Sequence, residues 1–247
     1  MREIYVIHLQ RSGGHAISNW LLKLIAAPTQ YVNDLCSDAT RDRCKEHGKL
    51  VVPGDTEWIL FGIEDTPIHA ITDQLRRVAP FIPVLRDSDP LYILVLRDIY
   101  NMLASRWKYH MNGRGCKMGA CTSSVVTAWK QYAKTAFCIQ HGAGHRLTLQ
   151  QMLVVDFDRW AVNPAYRKSL WTALAIRDDG IPGSFDPEAS EEVSTWNNGS
   201  AFDGVPAKAS AMEINARYKQ VPSVVFSAVT EDAATWNQAL FGWRLDE

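Results

Sequence analysis

Three short groups of residues have side chains whose types and spacing could do chemistry. The first is Gln10-Arg11-Ser12-Gly13-Gly14-His15, which follows the β-prone run Ile4 to Leu9 and precedes helical apolar spacing at Ile17, Trp20, Leu21 and Leu24. A strand that feeds a glycine turn and then a helix start readily builds an anion site, because free N–H groups and the helix dipole both favour negative charge. The GxxxxGK[ST] pattern of an ordinary ATP or GTP loop is absent, so Arg11 would be the fixed cation. By itself this loop fits a plain βα turn equally well. The second group is Arg97 with Ser105. Arg97 follows Leu91 to Leu96, an unbroken apolar run that predicts a parallel strand covered on both faces. Open α/β sheets place their ligand crevice at that carboxyl end. Asp98 is placed to cap the next helix and Ser105 lies about two turns on, so an arginine and a hydroxyl can converge on a phosphomonoester. This second group favours the anion site over the plain turn. The third is Glu64-Asp65, after the apolar run Trp58 to Ile63. A carboxylate there could take a proton, or the pair could simply cap the helix beyond Pro67.

The elements that must hold these groups alternate. Strands are expected at Ile4 to Leu9, Trp58 to Ile63, Leu91 to Leu96 and Leu153 to Val155. Helices are expected over Ala16 to Ile25, 68–80, Ile99 to Tyr109, about 123–140, Tyr166 to Ile176, 211–219 and 231–241. Residues 29–56 read as polar and irregular, and 177–210 as a long loop. Alternating strands and helices predict an α/β fold with a mostly parallel sheet. No repeat or linker divides the chain, so one domain over 1–247 is expected.

Composition excludes several function classes. The 247 residues carry 26 Lys plus Arg against 27 Asp plus Glu, a formal net charge of -1. Non-specific nucleic-acid coats and polybasic membrane binders need a large positive excess. No apolar run is long enough for a membrane-spanning helix or a secretory leader. Five cysteines without CxxC spacing predict free thiols in a reducing cytoplasm, although Cys116 and Cys121 are close enough in sequence to pair. His141 and His145 flank loop glycines and do not make a metal set, and no metal site is expected. His69 is expected on the surface, Arg114 and Lys117 in a solvated loop, and most of the nine tryptophans in the core.

The loop Arg11-Ser12-Gly13 and the pair Arg97 with Ser105, eight positions apart, resemble the P-loop sulfotransferase family in order and spacing. Gly14 and His15 stand where that family usually has hydroxyl residues, and its Arg-Lys-Gly loop is absent. Val154 to Trp160 looks like the family's strand followed by a Tyr-Glu-Asp-Leu-type segment, and Trp196 to Gly204 like its nucleotide-closing loop. The resemblance implies a P-loop NTPase-like three-layer α/β/α fold. It also implies sulfuryl transfer from 3′-phosphoadenosine 5′-phosphosulfate (PAPS) to a small-molecule or glycan hydroxyl or amine. Arg11, Ser12, Gly13, Gly14 and His15 would then cradle the phosphosulfate, with Arg97 and Ser105 on the 3′-phosphate. Asn198, Gly199 and Ser200 would complete the nucleotide site. Glu64 is the first choice for the base, with Asp65 and His15 as alternatives and Arg11 on the leaving-group charge. A nucleotide-kinase-like phosphotransferase and a non-catalytic nucleotide-binding protein are the rival readings.

Overall fold

A computed structural model describes residues 2–35, 53–78, 90–111, 118–142, 152–177, 181–186 and 214–245, with backbone alone for 78, 118–122, 176, 177 and 214. Asn198, Gly199, Ser200, Arg114, Lys117, Cys36, Cys44, Cys116 and His145 lie outside these residues, as does the side chain of Cys121.

Five parallel strands form one sheet in the order β2-β3-β1-β4-β5: β1 (Arg2–His8), β2 (Thr29–Val32), β3 (Trp58–Glu64), β4 (Leu91–Leu96) and β5 (Met152–Asp156). The helices are α1 (Gly14–Leu24), α2 (Ile68–Val78), α3 (Ile99–Met111), α4 (Met118–Gln140), α5 (Phe157–Val162), α6 (Pro164–Arg177) and α7 (Glu231–Phe241). Two 3₁₀ segments, Ile214–Gln220 and Ser223–Phe226, precede α7.

Strand side chains alternate between faces, and this divides the core into two layers. Ile4, Val6, Leu60, Ile93 and Val95 pack with α1, α5 and α6. Tyr5, Ile7, Phe61, Leu94 and Leu96 pack with α2, α3, α4 and α7. The result is a three-layer α/β/α arrangement. Within α1, Ile17, Trp20, Leu21 and Leu24 repeat at helical spacing and are all buried. Trp20 meets Trp160 and Trp171 edge-on, with ring centroids 6.1 and 6.3 Å apart. Trp58 and Trp129 are buried as well, as expected for core tryptophans.

Strand β2 corrects the expectation that 29–56 lacks regular structure. It is a four-residue edge strand, paired on one side only and mostly half-buried, so mixed polarity costs it little. Helix α5 is an addition to the sequence-based elements. Asp156 starts it by accepting the Arg159 N–H, a cap that ends β5 abruptly. The expected helix at 211–219 is, where described, the 3₁₀ segment Ile214–Gln220. Among the described residues, no helix is long and apolar enough to cross a membrane.

Between β1 and β4 the strand order reverses. The carboxyl ends of β1, β3 and β4 therefore open on the crevice that doubly wound sheets use for ligands.

Candidate functional site

The loop from β1 to α1 is shaped by close approach. Ser12 closes it: its N–H and its hydroxyl both donate to the Leu9 carbonyl, at 3.0 and 2.7 Å. Gly13 has φ 96°, and a Cβ there would lie 2.1 Å from the Phe157 ring. A Cβ on Gly14 would lie 2.1 Å from the His8 ring. No hydroxyl residue fits at position 14 because the imidazole at the end of β1 already fills that space. Gly13 caps α1 with no side-chain acceptor, and no acidic residue stands in the first turn. The helix thus starts with positive potential and no carboxylate of its own.

Arg97 extends from the end of β4 into this region and is 1% exposed. Its Nε donates to Asp158 Oδ1 at 3.1 Å, and its Nη1 donates to the Ser105 hydroxyl at 3.0 Å. The Phe157 ring that packs on Gly13 also lies beneath this guanidinium, at 5.5 Å. Asp98 caps α3 by accepting the Asn101 N–H at 3.0 Å, as its position predicts. The structure therefore joins the two residues that the sequence separates by eight.

Arg217 joins them as well. Its Nη1 donates to the same Ser105 hydroxyl at 3.1 Å, and its side chain is buried. Sequence reasoning missed this residue: it lies on a 3₁₀ segment 112 positions from Ser105, and no local pattern marks it. Arg11 stands over the Tyr109 ring at 5.0 Å. Burial, followed by the nearby Arg97 guanidinium, holds the Arg11 pKa below its ordinary value. Such crowding of like charge is characteristic of anion sites.

The opposite side of the crevice is acidic. Glu64 ends β3 in register with His8. Burial, then the carboxylates of Asp65 and Asp34, push its pKa up to about 7. His8 Nδ1 lies 3.8 Å from Glu64 Oε1. Burial, then His15, lower the His8 pKa to about 4, so its imidazole is neutral near pH 7 and the contact is not an ion pair. Among the described residues, the buried His8 Nε2 has no hydrogen-bond partner. Its place at a strand end facing Gly14 was the available signal for this residue. His15 lies edge-on to His8, with ring centroids 5.5 Å apart, and donates from Nε2 to Asn33 Oδ1 at 3.0 Å in the matching tautomer. Burial also lowers its pKa.

Asp65 occupies a different position from Glu64. Both its oxygens receive the Arg106 guanidinium, and Oδ1 also accepts the Gln10 N–H at 2.9 Å. Its oxygens are thus already taken up by donors from α3 and the phosphate loop.

Neither the known family models nor the curated proteins give a match to this chain.

A cleft of about 610 Å³ opens next to the start of α3, lined by Asp98, Asn101, Asp156, Asp158, Tyr218 and Trp243 among others but by none of Arg11, Arg97 and Arg217. Tyr218 and Trp243 lie 4.9 Å apart by ring centroid, a wall suited to a flat ring. Among the described residues no group of three His, Cys, Asp or Glu could hold a metal ion. His69 and His141 are exposed.

Proposed function

We propose that the protein is a sulfotransferase whose donor is 3′-phosphoadenosine 5′-phosphosulfate and whose acceptor is a hydroxyl or amine of a small molecule or glycan. One observation carries this reading. Arg97 and Arg217 meet on the Ser105 hydroxyl, behind the glycine loop that opens α1. Two guanidinium groups and a hydroxyl at one point suit a dianionic phosphomonoester, and the helix start suits a second anionic group. A nucleotide with a 3′-phosphate and a 5′-phosphosulfate carries both.

The donor chemistry fits the residues present. The donor supplies a sulfuryl group already attached to a phosphate leaving group. Arg11 and the first N–H groups of α1 would hold the 5′ end and balance the charge that grows on the departing phosphate. Arg97, Ser105 and Arg217 would hold the 3′-phosphate, and Tyr218 with Trp243 would offer a face to the base. Glu64, oriented at the end of β3, would take the acceptor proton as the new oxygen–sulfur or nitrogen–sulfur bond forms. A pKa of about 7 leaves it part-ionised near neutrality while keeping it basic enough to pull.

Isothermal titration tests the reading against its rivals. Adenosine 3′,5′-bisphosphate is expected to bind at tens of micromolar or tighter, and ATP with Mg²⁺ at least tenfold more weakly. Tighter binding of ATP would replace the sulfotransferase with a phosphotransferase. Bisphosphate binding without transfer to a broad acceptor panel would leave a nucleotide-binding protein.

A further inference from the structure

We propose that Asp65 and Arg106 are a positioning pair, a latch that ties the end of β3 and helix α3 to the phosphate loop and so sets the loop's shape.

The contacts converge from three elements. Arg106 leaves α3 with its side chain 11% exposed and forks onto Asp65, Nη1 to Oδ1 at 3.0 Å and Nη2 to Oδ2 at 3.1 Å. The same Nη1 donates to the Gln10 carbonyl at 3.2 Å. Asp65 Oδ1 accepts the Gln10 N–H at 2.9 Å, and the Asp65 N–H donates to the His8 carbonyl at 3.1 Å. Both backbone polar groups of Gln10 are therefore held by this pair, one residue before Arg11. A bidentate fork fixes direction as well as distance, which a lysine at 106 could not do.

The backbone gives an independent reason for a latch. Among the described residues, those other than glycine with positive φ are Arg11 at 69°, Asp34 at 48° and Asp65 at 49°. They follow β1, β2 and β3, three neighbours in the sheet. Left-handed backbone is unfavourable for a residue with a side chain, and persists where surrounding contacts over-determine it. At Arg11 and Asp65 those contacts are the latch itself. The arrangement points the Arg11 side chain and the α1 start into the crevice and leaves Glu64, one residue earlier, unbonded by the pair.

The inference rests on the sulfotransferase reading only for its ligand arm. The test combines amide hydrogen exchange with bisphosphate titration on the full chain. Arg106→Gln leaves both partners of the Asp65–Gln10 bond in place but removes the fork. Exchange at residues 10–14 should then rise at least tenfold while β4 stays protected. Adenosine 3′,5′-bisphosphate should bind about tenfold more weakly, with Arg106→Lys recovering part of the loss. The double variant with Asp65→Asn should cost no more than the worse single, since both break one latch. Loop exchange equal to the wild type, or fully additive losses, would overturn the latch. Should Arg106→Gln fail to fold, Asp65→Asn makes the same exchange measurement. Faster loop exchange in a protein that binds no bisphosphate would keep the latch and remove the donor reading. Unchanged exchange in a protein that binds normally would do the reverse.

Discussion

Over β2 and β3 the crevice is lined by carboxylates: Asp34 follows one strand, Glu64 closes the next, and Asp65 comes after it. Over β1 and β4 it is lined by guanidinium groups, with Arg97 and Arg217 meeting on Ser105 and Arg11 beside them. The two sides are also built differently. The basic side is assembled from distant segments, with Arg97 and Arg217 held on the buried Ser105 hydroxyl. The acidic side comes from strand ends, and desolvation raises Glu64 instead of pairing it. A net charge of -1 over the whole chain conceals this division. On the proposed sulfotransferase reading, this division would keep the donor anion and the proton acceptor on opposite sides of the reacting atom.

The largest expected effect tests the acidic side. Glu64→Gln should lower transfer by about 10²–10⁴-fold while bisphosphate affinity stays within a factor of two or so. Rates of donor turnover beside a titration check both halves, and an active variant would move the base elsewhere. On the basic side, Arg217→Met should weaken the bisphosphate by roughly 10–100-fold, because a desolvated charge-assisted hydrogen bond is lost. Adenosine 5′-monophosphate should be far less affected.

The junction between the sides comes next. Gly14→Ala drives a methyl into the His8 ring, so chemical denaturation should show a loss of about 1–3 kcal/mol. A variant of wild-type stability would mean that His8 does not pack there. A further expected effect, of similar size, concerns pH. The Glu64 pKa is raised in the folded state from 4.5 to about 7, so the folded protein binds the proton more tightly. Stability attached to this group is full below pH 4.5 and is lost as pH rises through 7, up to about 3 kcal/mol. Glu64→Gln should therefore raise Tm at pH 8 and leave it nearly unchanged at pH 4.5. Equal shifts at both would contradict the raised pKa.

Legibility in the sequence followed burial and locality. Strand β4 could be read from one end to the other because both faces are covered and every residue is apolar. Strand β2 could not, since an edge strand tolerates Thr, Gln and Tyr in succession. The loop glycines could be read as a turn, but the reason for Gly14 lies in His8, across the loop. Arg97 and Ser105 share a helix start, so their spacing revealed them. Arg217 meets them only through tertiary packing, and Asp65 meets Arg106 across 41 positions. Choosing Glu64 over Asp65 needed to show which carboxylate was already bonded. The proposed residues Asn198, Gly199 and Ser200 lie outside the described residues and take no part in this comparison.

The central claim is that Arg97, Ser105 and Arg217 form a 3′-phosphate site. It is tested most directly by titrating wild type and Ser105→Ala with adenosine 3′,5′-bisphosphate and with adenosine 5′-monophosphate. The account predicts that the wild type prefers the bisphosphate by about 100-fold or more, and that Ser105→Ala cuts this preference by roughly tenfold through the bisphosphate alone. Equal affinity of the wild type for both nucleotides, or equal losses for both in the variant, would contradict it.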